Sequence, residues 1–137
     1  MELQKLGLPV LRLGLGFLFL INGIIALLNQ EIVLQMLNDL KFPYPNFWIW
    51  VLILIEVIGG ILLLIGYMVK HATAPLMTLV LVVILTIQIP GTIAGNPAQL
   101  LKDIAIFCGL FCLFALGPGS YSIEEELEFL NKEKGKK

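Results

Sequence analysis

Charged side chains are scarce in this sequence. They make up 14% of its 137 residues, and nine basic against ten acidic groups leave a formal charge of −1. A chain so poor in charge, with 58% hydrophobic residues and a mean hydropathy of +0.94, is no ordinary soluble domain. It fits a small membrane bundle. The near balance of charge attracts neither nucleic acid nor an acidic substrate. Cysteine and histidine are rarer still. Cys108 and Cys112 lie inside one apolar segment, without the CxxC spacing and helix-start position that lower a thiol pKa. His71 stands alone in an expected turn. No nucleotide loop, metal-ligand constellation or nucleophile triad can be found, so neither a metal nor a covalently bound cofactor is expected. A cleavable signal peptide is not expected either, because the apolar run from Leu6 to Leu28 exceeds an h-region of about 7 to 15 residues and no small-x-small site follows it.

What is present is a succession of long apolar runs. They predict an all-α, polytopic membrane four-helix bundle forming one domain over residues 1–137. Spans are expected at about 8–28, 47–69, 72–90 and 97–116, followed by a tail at 117–137. Pro9 is read in the first turn of span one, where its missing N–H costs nothing. Between the first two spans, Ile32, Val33, Met36, Leu37 and Leu40 oppose Glu31, Gln35, Asn38 and Asp39, which predicts a short amphipathic helix in the interface. The run Phe42-Pro43-Tyr44-Pro45-Asn46 breaks that helix, and Tyr44, Trp48 and Trp50 form an aromatic belt. Lys70-His71 reads as a tight connection, with Thr73 capping span three and Pro75 in its first turn. Pro90-Gly91 should stop that span. Asn96, Pro97 and Gln99 then read as cap, N1 proline and capping-box glutamine of span four. After Gly117-Pro118-Gly119, Ser122 to Glu125 form a second capping box for a short amphipathic C-terminal helix striped by Ile123, Leu127 and Leu130.

The most informative residue is Glu56, alone in the apolar stretch from Trp48 to Gly66. A carboxylate near the centre of a hydrocarbon layer costs ~3 kcal/mol or more, so it should face protein, and a functional role is its default reading. Gly59 and Gly60, three and four residues on, share the face of Glu56 and should let a neighbouring backbone approach, as should Gly16 and Gly23 in span one and Gly109 among the small residues Ala105, Cys108 and Cys112 of span four. At ~1.5 Å rise per residue, Asn22, Glu56 and Gln88 come out about 21, 20 and 24 Å above the starts of their spans, in one layer, with Thr86 and Thr92 near it. These groups form the candidate ligand-binding cluster; the alternative for the amides is interhelical glue. A carboxyl isolated in such a layer is expected to be neutral unless a cation answers it. Arg12, the only cation within a span that could answer Glu56, joins the candidates, but lies about 14 Å lower. Snorkelling to a headgroup phosphate or to the Glu124 to Glu126 cluster is the expectation for it. Lys102 and Asp103, in the second turn of span four, serve either as anchors or as the mouth of the polar layer.

Laid out in this way, the chain resembles the DoxX family of small four-helix membrane proteins, which includes DoxD-type subunits associated with thiosulfate:quinone oxidation. The features that carry the likeness are Leu11-Arg12-Leu13-Gly14 with Phe17-Leu18, the run Ile55-Glu56-Val57-Ile58-Gly59-Gly60 through Gly66, and Gly117-Pro118-Gly119-Ser120-Tyr121-Ser122-Ile123-Glu124. Relatives often carry a lysine about three residues after the first-helix glycine. Here Gly23 is followed by Ile24, Ile25 and Ala26, so a role of that lysine does not transfer.

The resemblance implies a subunit associated with an oxidoreductase, holding a quinone or similar small hydrophobic ligand near Glu56; whether it is itself an enzyme stays open. The alternative is a non-catalytic scaffold that recruits soluble enzymes through its C-terminal helix. Permeation of protons or a small solute ranks third, because the spans lack the broken helices of most transport paths. The implied partners are the lipid bilayer and a soluble or membrane oxidoreductase, with no nucleic acid and with homo-oligomerisation left open. Lys5, Arg12, Lys70, Lys132, Lys134, Lys136 and Lys137 fall on one side and Lys41 and Lys102 on the other, which places both termini in the cytoplasm of a multi-pass cell-membrane protein. Glu56→Gln should keep the fold, since a neutral amide replaces a neutral acid, whereas Glu56→Lys should lower the melting temperature in detergent by leaving an unpaired charge in the same place.

Overall fold

Hydrocarbon offers no water to satisfy backbone amides, so a chain of this composition must bond its N–H and C=O groups within each segment. The computed structural model, which describes residues 2–89 and 97–135 apart from the side chains of Glu2, Gln4 and Gln88, answers with helices throughout and no strand among the described residues. In chain order they are α1 (Glu2–Leu28), α2 (Gln30–Asp39), α3 (Pro45–Ile65), α4 (Val69–Val83, continued by a π-helical turn over Ile84–Gln88), α5 (Pro97–Leu116) and α6 (Ile123–Lys134). Within them Lys5–Leu28, Pro45–Ile65, Val69–Ile87 and Pro97–Leu116 are long and apolar enough to cross a membrane.

Local chemistry shifts several of the expected boundaries. α1 begins about two turns early because the residues before Leu8 include good helix formers (Glu2, Leu3, Gln4, Lys5), so Pro9 lies inside the helix and not in its first turn. The connection between α3 and α4 does not fall at Lys70-His71. It falls at Gly66, which takes the left-handed conformation at φ 70° and donates its N–H to the Leu62 carbonyl at 2.9 Å, followed by Met68 at φ 46°. Glycine adopts that conformation without a Cβ penalty, which makes it the preferred helix stop over a polar pair. Lys70 and His71 therefore lie in the first turn of α4. Thr73 is no cap: it is buried, and its hydroxyl donates back to the Val69 and Lys70 carbonyls at 2.9 and 3.0 Å. The stop expected at Pro90-Gly91 and the cap at Asn96 lie outside the described residues. Ser122 does cap α6, accepting the Glu125 N–H at 3.2 Å. The return bond of the box is displaced by one residue, with the Glu125 carboxylate accepting from the Tyr121 N–H at 3.0 Å.

Between lipid-exposed helices there is little hydrophobic drive, and close van der Waals contact must take its place. α1 and α3 form the most extensive helix pair of the bundle. A Cβ built on Gly60 would lie 2.7 Å from the Leu20 amide nitrogen and 2.9 Å from the Gly16 carbonyl, while one on Gly16 would lie 3.0 Å from the Gly60 carbonyl. One turn further, Gly23 abuts Val57 and the Cβ of Glu56. Gly59 faces the other way, onto Leu76 of α4, so the two adjacent glycines of α3 serve two different neighbours. The interior they enclose centres on Leu63, Val69, Leu76, Leu110 and Leu113, all fully buried. A second cluster forms where Leu37 of α2 covers Ala26, Ile49 and Ile53. On α5 the small residues divide: Gly109 meets Leu11 and Leu15 of α1, but Cys108 and Cys112 are exposed on the outer face. The core side of α5 is instead taken by Leu110 and Leu113.

Because its Cβ would strike main-chain atoms, which cannot rotate away, Gly60→Ala should destabilise the bundle by about 1–3 kcal/mol. Gly14 has nothing within 4 Å of its Cβ position, so Gly14→Ala should be neutral or slightly stabilising. Thermal unfolding of the two variants in one detergent would compare them directly.

Candidate functional site

Glu56 sits near the middle of α3 and is 8% exposed. It projects from the edge of the α1 contact, its Cβ against Gly23, into space walled by four other helices. The larger of its two chambers, about 710 Å³, is lined by Asn22 of α1, Asn29 at the α1–α2 junction, Met36 of α2, Leu79, Val83 and Ile87 of α4 with its π turn, and Gln99 of α5. A smaller chamber of about 330 Å³ shares Asn22, Glu56, Val83 and Gln99 and reaches Lys102 and Asp103. Asn22 and Glu56 thus face common space from two helices and share these walls without a direct hydrogen bond between them. The side chain of Gln88 and the whole of Thr92 lie outside the described residues.

Beside the larger chamber lies an apolar slot of about 430 Å³ between α2, α3 and α4, lined by Leu37, Phe42, Trp48, Pro75, Thr78 and Thr86 among others. The larger chamber and the slot share Met36, Leu52, Leu79, Val83 and Ile87 as a common wall. Trp48 is held edge-on by Phe42 and Phe47, at centroid distances of 6.0 and 5.8 Å. The slot stays apolar although two threonines line it, because Thr78 and Thr86 donate their hydroxyls to the Ala74 and Val82 carbonyls of their own helix. What they offer the slot is their methyl groups.

Two features of this region escape sequence reasoning, and a third bears on an alternative that it left open. The π turn at Ile84–Gln88, a form that often marks functional sites, has no glycine or proline to announce it. Gln99, read as a capping residue, lines both chambers. Asp103 is 9% exposed, so of the two roles open to Lys102 and Asp103, lining the polar layer is the one their position fits.

Arg12 is not part of this arrangement, and neither chamber includes it. Nor does it snorkel to a phosphate or to the glutamate cluster. It is 3% exposed, and its guanidinium donates to the Pro118 carbonyl at 2.9 Å and the Tyr121 carbonyl at 3.2 Å. The turn that supplies these acceptors has Gly117, Gly119 and Tyr121 at positive φ, which turns its carbonyls inward ahead of any lipid group. Gly66 completes the seat, since a Cβ there would lie 2.5 Å from an Arg12 nitrogen and 2.8 Å from Ser122. Next to it the Gly66 carbonyl accepts the Glu124 N–H at 3.2 Å, and the Glu124 carboxylate accepts the Val69 N–H at 3.4 Å. The start of α6 is thereby tied to the α3–α4 turn and to α1.

A family model described as DoxX matches residues 7–89, more than half of the chain, covering most of α1 and all of α2 to α4. No curated protein and no solved structure matches the chain.

Arg12→Ala removes two charge-assisted hydrogen bonds and should cost about 3 kcal/mol or more. Faster amide exchange should appear first at Ser122 to Glu126. Arg12→Lys should recover part of the loss, because an ammonium lacks the planar fork that reaches both carbonyls.

Proposed function

The chain belongs to the DoxX family, and from that membership we propose an integral membrane subunit of a redox system that holds a quinone or similar small hydrophobic ligand between its helices. The observation that carries the reading is the shared wall between a polar chamber at Glu56 and Asn22 and an apolar slot under α2. Both spaces lie in the ~300–1,000 Å³ range of small-molecule sites. A ring placed in the first can hydrogen-bond a carboxyl and an amide while its tail follows the second. Glu56 then supplies a proton as negative charge develops on a ring oxygen. Electron chemistry belongs to the quinone and to a partner chain. In this reading residues 1–137 act as one domain, α2 lies in the plane of the interface, and both termini face the cytoplasm, where seven of the nine basic residues gather.

One further observation favours docking as a second role. α6 has no buried residue, and Ile123, Leu127, Phe129 and Leu130 are all exposed on it. Such a helix fits a scaffold that recruits a soluble partner enzyme. Leu127→Glu with Leu130→Glu should then abolish recovery of that partner while the spans stay folded.

The ligand reading is tested through Trp48. In a Trp50→Phe background a short-chain quinone should quench Trp48 emission saturably, and Glu56→Gln should weaken the affinity roughly fivefold, about 1 kcal/mol. Purified protein that retains no quinone and shows the same affinity with Glu56→Gln would exclude it.

A further inference from the structure

The smaller chamber shares Asn22, Glu56, Leu79, Val83 and Gln99 with the larger one and extends beyond it to Lys102 and Asp103. Two buried carboxyl side chains on different helices, Glu56 of α3 and Asp103 of α5, line it together with the amides Asn22 and Gln99, and Lys102 stands exposed beside Asp103. Its remaining walls are apolar, from Phe19 of α1 to Val80 and Val83 of α4. Among the described residues Glu56, Lys102 and Asp103 are the titratable groups that face it. At ~30 Å³ per water, about 330 Å³ holds on the order of ten waters, and polar groups at both ends give those waters partners. Residues 99–103 form the early turns of α5, so the chamber leads from Glu56 toward the end of the bundle opposite the 117–122 turn.

We propose that this chamber is a hydrated proton vestibule, in which Asp103 passes protons between the aqueous face beside Lys102 and the buried carboxyl of Glu56. The proposal deepens the reading of Glu56 as the ligand's proton partner, yet its test needs no ligand. In the inward direction a proton from bulk water adds to the Asp103 carboxylate, giving the acid. The O–H bond of that acid then breaks toward the chamber waters, one proton is handed along them, and an O–H bond forms on the Glu56 carboxylate, whose own proton has already left for the ligand or, in ligand-free exchange, outward along the same waters. Asp103 is left ionised as before, and the net change is one proton moved. Lys102, exposed beside Asp103, keeps the rim wet. A carboxyl buried in a membrane bundle is functional by default, and here two of them line the same chamber. Glue between helices requires no such chamber.

The readout is hydrogen–deuterium exchange at Glu56. With the ligand-free protein in zwitterionic nanodiscs, the carboxyl stretch lost in Glu56→Gln is followed after a switch from H2O to D2O. Asp103→Asn should slow its shift by on the order of a hundredfold, the lower end of what a positioned proton carrier contributes. Asp103→Glu should restore the rate, which a packing role for Asp103 would not do. A second arm covers the case in which Asp103→Asn fails to fold. In a Cys108→Ser, Cys112→Ser chain, Lys102→Cys coupled to a bulky maleimide should slow the same shift by blocking the rim. An unchanged rate in the folded Asp103→Asn protein, or after blocking the rim, overturns the vestibule and leaves the ligand site standing. Absence of a Glu56-dependent carboxyl band at any pH that preserves the fold also overturns it. Loss of quinone binding with exchange intact would overturn only the ligand reading.

Discussion

The structure depends first on how closely the backbones of α1 and α3 approach. Gly16 and Gly60 meet with main-chain oxygens 2.9 to 3.0 Å from where a Cβ would stand, and Gly23 lets the stem of Glu56 come up against α1. In water such a pair could be driven together by apolar burial. In lipid the gain comes from dispersion at close range, and each glycine that permits it acts on several contacts at once. That contact also sets where Glu56 points. With one side of its helix turn pressed on α1 and Gly59 pressed on Leu76 of α4, its carboxyl enters the space left between α1, α2, α4 and α5.

How far this was legible in the sequence varies with the kind of atom involved. The rise of a helix is fixed, so depth arithmetic brought Asn22 and Glu56 into one layer, and their chambers are shared. Glycine spacing likewise identified the faces that approach. Arg12 was visible as an expensive group, but its acceptors were not, because they are main-chain carbonyls that every residue carries; only the positive φ of Gly117, Gly119 and Tyr121 aims them. Gln99 was hidden by a competing local role at the start of α5. The turn at Gly66 was signalled by its glycine and obscured by the polar pair after it. Cys108 and Cys112 show the opposite error, small side chains taken for packing when the core face of α5 belongs to Leu110 and Leu113.

α4 differs in character from the other spans. It carries Pro75 inside its length, ends in a π turn, and has three threonines bonded back to its own carbonyls. Back-bonding hydroxyls bend helices, and a π turn inserts an extra residue into the ladder. This irregular helix forms a wall of both chambers and of the apolar slot, whereas the straight glycine contact lies between α1 and α3. The bundle thus places its closest backbone approach on one side of Glu56 and a helix with a π turn on the other.

The seat of Arg12 also bears on the order of assembly. Its two carbonyl partners lie 106 and 109 residues further along the chain. α1 therefore enters the membrane while the groups that will satisfy its guanidinium have yet to be synthesised. Until the 117–122 turn arrives, that charge must be held by water, by lipid phosphate or by the insertion machinery. Closure of the turn over Arg12 and Gly66 is the event that separates a finished chain from an unfinished one. A nascent or truncated protein lacking residues 118–121 would differ from this one by a cation in its first helix without those two carbonyl acceptors.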